Sequence, residues 1–334
     1  MQMIELSTGG RETTRLGFGC SSLMGALGRA DSLAMLEAAY DAGLRHFDVA
    51  PSYGFGQAEE CLGEFFSRHP GLCTVTTKFG IEPEAPATFK SVARGLVRPI
   101  LKLLPGLKKN LQRAASSVQG ASPERPEFSV EKARVSLERS LRALKVEHID
   151  LWLLHEAEAR DLSDDALLAF AHEAMTQGKI GAFGVGSGRE KIAALQQERA
   201  AYCLVMQYEW SVLDALIARD AAFRIHHRAL TENFRGLHAA LRADAARSAR
   251  WSDEVGADVA DAETLAGLML KASLMCNPGC VVLFSSKHAT HMQKNAALVD
   301  DKQTGERALR LYALVRAEAQ AAQGADVSET GDAA

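Results

Sequence analysis

Asp48 and Tyr53 sit five residues apart in the run HFDVAPSYGFGQAEECLG, at the point where a strand-like pattern gives way to a helical one. Lys78 follows TVTT in the same way, and His155 follows IDLWLL. A carboxylate, a phenol, an amine and an imidazole therefore close successive strand-like runs. A free phenol has a pKa of about 10, so proton transfer near neutrality needs a cation beside it. Lys78 is the candidate cation, Asp48 the acid that would hold it, and His155 a donor that could orient a carbonyl oxygen. None of the four is a good nucleophile here, and no phosphate-cradling loop precedes them. A proton donor and a carbonyl clamp without a nucleophile imply hydride from outside, hence a nicotinamide cofactor. Taken singly, each residue has an ordinary structural reading: a turn cap, a packed ring, a surface ion pair. Their joint order on successive strand ends points to an active site.

The elements that must position them alternate in period. A hairpin is expected at 3–6 and 13–16, around the turn-rich STGGRE. Strands follow at 16–20, 46–49, 74–78, 149–154, 180–185, 203–207, 223–227 and 280–284. Helices are expected at 31–42 with Asp31 as cap, from 57, from Ser129, at 163–178 with Ser163 as cap, and at 190–198. Further helices are expected at 262–275, 288–298 and 305–319. Strand followed by helix, about eight times, is the pattern of a (β/α)8 TIM barrel with an N-terminal β-hairpin and C-terminal helices. A doubly wound sheet is the rival, but its GxGxxG fingerprint fails in GFGCSSLMG, where the third glycine is missing. The expected organisation is one barrel over 1–320, with loop insertions at about 81–128 and 228–261 and a disordered tail at 321–334.

The chain has 334 residues, 47% hydrophobic and 24% charged, enough for a large core. A net charge of −4 gives no nucleic-acid signature. The N-terminus lacks a signal-peptide pattern, and no apolar run is long enough to span a bilayer. Six cysteines without a CxxC pair read as reduced, mostly buried thiols, so a cytoplasmic location is expected.

The chain resembles the aldo-keto reductase superfamily, through DVAPSYGFGQAEECLG (48–63), TTKFG (76–80), IDLWLLH (149–155), FGVGS (183–187), VMQYEW (205–210) and SSKHATHMQKN (285–295). The similarity runs from about residue 15 to about residue 298. It implies an NADP(H)-dependent oxidoreductase that interconverts a carbonyl (aldehyde, ketone or sugar) and an alcohol. It implies Tyr53 as general acid/base, Asp48 and Lys78 as its tuning pair, and His155 as the orienting residue. Gln207 matches the glutamine that contacts the nicotinamide amide. Gly186 and Ser187 stand where the family commonly has Ser-Asn, and His227 where a tyrosine stacks on the nicotinamide. His291 aligns with the arginine facing the adenosine 2′-phosphate, with Ser285, Ser286, Lys287 and Asn295 in the same segment. Lys287 and His291 can supply positive charge, which favours NADP, with NAD also open. Two other functions stay open. One is a regulatory or interaction subunit that binds cofactor with little turnover; the other is an NAD(P)-linked aldose 1-dehydrogenase.

Other signals are weaker. Adjacent strand residues face opposite ways, so His226 and His227 do not read as a metal pair, and no metal site is assigned. Met24, Phe55 and Trp210 read equally as pocket lining or core, and Arg228 as a contact for an acidic group or a solvated charge. Lys90, Arg94, Arg98 and Lys102 recur every four residues within an acid-free stretch, 85–123. Such a segment can contact a membrane, here over 90–113. Gly95, Pro99, Pro105 and Gly106 break any long helix, and the position after Lys78 favours a lid or pocket wall.

Overall fold

The computed structural model describes residues 1–6, 10–83, 126–216 and 222–331, with residues 323–331 described as backbone only. The basic segment 90–113 and most of the 81–128 insertion lie outside the described residues. β1 (Met3–Glu5) and β2 (Glu12–Thr14) pair antiparallel as the expected hairpin. Eight parallel strands then close a barrel: β3 (Leu16–Gly19), β4 (His46–Asp48), β5 (Thr74–Phe79), β6 (Ile149–His155), β7 (Ile180–Gly186), β8 (Val205–Glu209), β9 (Phe223–His227) and β10 (Val281–Phe284). β10 pairs with β3, which joins the ends of the sheet. Among the described residues the helices are α1 (Arg29–Asp41), α2 (Ala58–Arg68), α3 (Val130–Leu144), α4 (Ala166–Thr176) and α5 (Arg189–Glu198), then α6 (Thr231–Ala243), α7 (Ala245–Val255), α8 (Ala262–Cys276), α9 (Ala289–Leu298) and α10 (Lys302–Gly331).

Strand alternation sorts the side chains into two cores. Leu151 and Leu153 of β6 face into the barrel with Ala182, Val205, Ile225, Val281 and Leu283, while Trp152 and Leu154 face the helices. Leu6, just past β1, joins the interior set, and Thr13 of β2 meets Thr74 at 2.6 Å between their hydroxyls, so the hairpin plugs one end. On β7, a Cβ at Gly184 would lie 1.9 Å from the Val205 carbonyl oxygen, so only glycine lets β7 and β8 approach. In α3, Ser129 accepts from the Lys132 amide at 3.4 Å, and the buried stripe Ala133, Leu137, Leu141 and Leu144 meets α2 and β5. Each fully buried leucine there contributes roughly 1.5–3 kcal/mol.

Four expectations are corrected. Gly28 rather than Asp31 caps α1, with Asp31 inside the first turn, and Asp165 rather than Ser163 caps α4. The segment 228–261 is no loop: it carries α6 and α7, whose Leu237, Leu241, Trp251 and Val255 pack with Leu265, Leu268 and Leu311. α10 continues to Gly331, where a disordered tail was expected. Alanine is the best helix former, so an Ala-rich stretch following a packed helix extends it at little cost. All six cysteines are free thiols, and all but Cys276 are buried. No helix among the described residues is long and apolar enough to cross a membrane.

Candidate active site

β4, β5 and β6 end at the same rim of the barrel, and their inward positions carry Asp48, Lys78 and His155. Tyr53 follows β4 on a tight turn, its amide donating to the Ala50 carbonyl at 3.0 Å. The next two residues, Gly54 and Phe55, are both left-handed, at φ +58° and +57°. A Cβ at Gly54 would come within 2.5 Å of the Leu23 carbonyl oxygen, so that turn is pressed against the loop after β3 and fixes the phenol.

The four residues meet. Lys78 Nζ donates to Asp48 Oδ1 at 2.7 Å, to the Val49 carbonyl at 3.1 Å and to Tyr53 Oη at 3.4 Å. Those bonds engage all three ammonium donors. Gln207 Nε2 donates to Asp48 Oδ2 at 2.7 Å, so both carboxylate oxygens are held. The Tyr53 and His155 rings stand edge to face, with centroids 6.1 Å apart. All five residues line one cavity of about 430 Å3 at the mouth of the barrel.

Burial sets the protonation states. It draws His155 down to about 3, with Lys78 and His227 acting in the same direction, so the imidazole is neutral and keeps one N–H and one lone pair. Lys78 is pulled down by burial, but Asp48 and then Tyr53 raise it, and the balance is upward. Tyr53 departs from the simple expectation. Burial raises its phenol above the ordinary value, and this outweighs the opposing effect of Lys78. The tyrosine is therefore held as an O–H. Because Lys78 donates to the phenol oxygen, the phenolic proton is left for the cavity.

The remaining expected residues divide. Ser187, Gln207, His227 and Ser285 line the same cavity. Ser187 spends its hydroxyl on the Ala157 carbonyl at 2.8 Å, and Ser285 on the Gly19 carbonyl at 2.6 Å. His227 is drawn down to about 4 by burial, so it stands in the cavity as a neutral planar ring. His226, on the same strand, points the other way and lies edge-on to Tyr208 at 4.8 Å. Ser286, Lys287, His291 and Asn295 follow on the loop and first turns of α9, outside the lining, and the His288 and His291 rings lie 5.2 Å apart. Trp210 is fully buried core, Met24 packs at the edge of the main core, and Phe55 is 54% exposed at the rim.

Two buried acceptor or donor atoms in the cavity lack partners: Gln207 Oε1 and His155 Nδ1. Gly186 lies beside the first of these, and a Cβ there would sit 3.2 Å from Gln207 Oε1. The glycine thus keeps open a cradle whose wall offers an unpaired amide oxygen, which fits a planar carboxamide such as nicotinamide carries. Two charged lining residues stand out. Arg228 is the charge already visible after the seventh barrel strand; Glu156 has a sequence signal only in its position directly after His155 at a strand end.

Known proteins resemble this chain in sequence and in fold. Residues 15–229 match the model of the aldo/keto reductase family. The chain is 33% identical over 181 residues to a D-threo-aldose 1-dehydrogenase of a Pseudomonas species, covering 52% of this chain and 49% of that protein. It is 42% identical over 74 residues to a pyridoxal 4-dehydrogenase of Microbacterium luteolum, covering 21% of this chain and 22% of that protein. These matches span half of the relatives' length or less. In fold, the chain is similar to a holo-form aldo-keto reductase of Bacillus halodurans (TM-score 0.64, 17% identity, 93% of this chain and 96% of that one). It is also similar to an aldo-keto reductase of Klebsiella pneumoniae in complex with NADPH (TM-score 0.58, 17% identity, 93% and 95%). A closed eight-stranded barrel, a buried Asp–Lys–Tyr cluster at its mouth and a family match over most of the barrel meet in one conclusion: this chain belongs to the aldo/keto reductase family.

Proposed function

We propose that the protein is an NADP(H)-dependent oxidoreductase acting on a carbonyl/alcohol pair, with residues 1–320 as its catalytic unit. The observation that carries this is Lys78 donating at once to Asp48 and to Tyr53 inside a cavity that His155 also lines. Gln207, with its unpaired Oε1, and the planar His227 would hold the nicotinamide end, and Lys287 and His291 would supply charge for the adenosine phosphate. Bound there, NADP(H) supplies or accepts the hydride. In reduction, neutral His155 donates to the carbonyl oxygen and orients it. Tyr53 then passes its phenolic proton to that oxygen, and the Lys78 ammonium stabilises the phenolate left behind. Asp48 and Gln207 act through Lys78, by fixing where its charge sits.

Aldose oxidation at the anomeric carbon is a second reading, favoured by the similarity to the D-threo-aldose 1-dehydrogenase. Both readings use the same proton path. The test is Tyr53→Phe, assayed with NADPH and NADH across aldehydes, ketones and aldoses. Turnover is expected to fall by roughly 10²–10⁴-fold while cofactor affinity holds. Near-normal turnover would sink the mechanism. Cofactor binding without turnover by the native chain, on any carbonyl or alcohol, would instead favour a regulatory role.

A further inference from the structure

We propose that Glu156 is a specificity-determining residue that accepts a hydrogen bond from a substrate hydroxyl and so favours hydroxylated carbonyl compounds. This rests on the oxidoreductase reading above.

Side chains alternate along a strand, so the residue after inward-facing His155 should point away from the mouth. Glu156 nonetheless lines the cavity beside His155, and its backbone is left-handed, at φ +59°, which breaks the strand's alternation. A left-handed glutamate is strained, and such strain persists only where its surroundings fix it. Here the Glu156 amide donates to the Gly186 carbonyl at 2.7 Å, and the side chain is held from α5 by Lys191. The other wall repeats the device with opposite charge: Arg228 follows inward-facing His227 at φ +58° and also lines the cavity.

The carboxylate is built as an acceptor rather than as a cation trap. Oε2 takes a hydrogen bond from Lys191 Nζ at 3.1 Å, and Lys191 also lies 3.7 Å from Glu158. Among the described residues, Oε1 has no hydrogen-bond partner. Lys191 offsets the negative charge but leaves those lone pairs available. A neutral O–H donor gains from that arrangement, whereas an ammonium group would meet a carboxylate already paired.

The test compares glyceraldehyde with propanal, which share a three-carbon skeleton and differ in hydroxyls. The variants are Glu156→Ala, which keeps a strained backbone position, and Glu156→Gly, which relieves it. In both, the ratio of kcat/KM for glyceraldehyde over propanal should fall by roughly tenfold or more, with the change mainly in the KM for glyceraldehyde. An unchanged ratio in both variants, the two aldehydes losing equally, would overturn the proposal. A fall confined to the glycine variant would also overturn it, by assigning the effect to the backbone turn. Native enzyme that turns over neither aldehyde, with NADPH or NADH, would sink the oxidoreductase reading and this inference with it.

Discussion

Gln207 Nε2 donates to Asp48 Oδ2 at 2.7 Å, so the residue proposed to hold the nicotinamide also holds the acid that anchors Lys78. The cofactor half and the proton half of the site share one side chain. Replacing Gln207 by Leu should therefore disturb both. Asp48 would lose a charge-assisted hydrogen bond, at a cost of about 1–3 kcal/mol in stability. NADPH affinity should weaken and the pH profile of turnover should move in the same variant. Titration by cofactor fluorescence beside a pH–rate series would separate the two; a change in affinity alone would argue against the coupling.

Lys78→Met removes the partner that neutralises Asp48 in a buried setting. Breaking such a pair costs about 3–5 kcal/mol. The phenol of Tyr53 should rise further, because Lys78 is the largest influence holding it down. Denaturant unfolding should show the lost stability, and turnover should fall even at pH values where the variant is folded. A stable Lys78→Met protein with native turnover would contradict the role given to the ammonium.

Tyr53 predicts an asymmetry between the two reaction directions. Reduction needs the phenol as an O–H, and burial keeps it so above its ordinary pKa of about 10. Oxidation needs the phenolate to take a proton from the alcohol. Reductive kcat/KM should therefore stay level through the alkaline range, while oxidative kcat/KM climbs with pH. Equal pH profiles in the two directions would show that Tyr53 is not the group that titrates.

Four histidines are buried in the neutral form. Burial lowers His46, His155 and His226 to about 3 and His227 to about 4. In the unfolded chain they titrate near 6.5. Between these values the unfolded state binds more protons, so stability should fall as pH drops from about 6.5 toward 4, by up to about 1.4 kcal/mol per pH unit for each histidine. Glu59 and Asp150, raised by burial, take up protons in the folded state and oppose the trend. Melting temperatures at pH 7 and pH 5 would measure the balance; a higher value at pH 5 would reverse the expected order.

The proposed catalytic quartet was legible because Asp48, Lys78 and His155 stand at or beside the ends of strands with a plain apolar or β-branched pattern, and Tyr53 follows the first of them on a short turn. Alternation then dictates which side faces inward. The helices at 231–255 were not legible as packed elements. Leu230, Phe234, Leu237 and Leu241 do keep a helical stripe, but arginines and alanines between them dilute the apolar signal. The upward shift of Tyr53 was hidden for a different reason: a sequence shows that a cation is near, not how dry the site is. Glu156 and Arg228 needed the backbone, since their left-handed kinks cancel the alternation by which a sequence assigns faces.

The pairing of β10 with β3 has a bearing on how the protein is made. Ser285 donates to the Gly19 carbonyl across that seam, and the Met1 amine lies 2.7 Å from Asp300. Asp48, Lys78 and His155 leave the ribosome before β10, the strand that completes their ring. Until then β3 is an open edge, able to pair with another nascent chain. A message cut short before Val281 would yield Asp48, Tyr53, Lys78 and His155 without the strand that seals their mouth, leaving an open barrel exposed to wrong pairing.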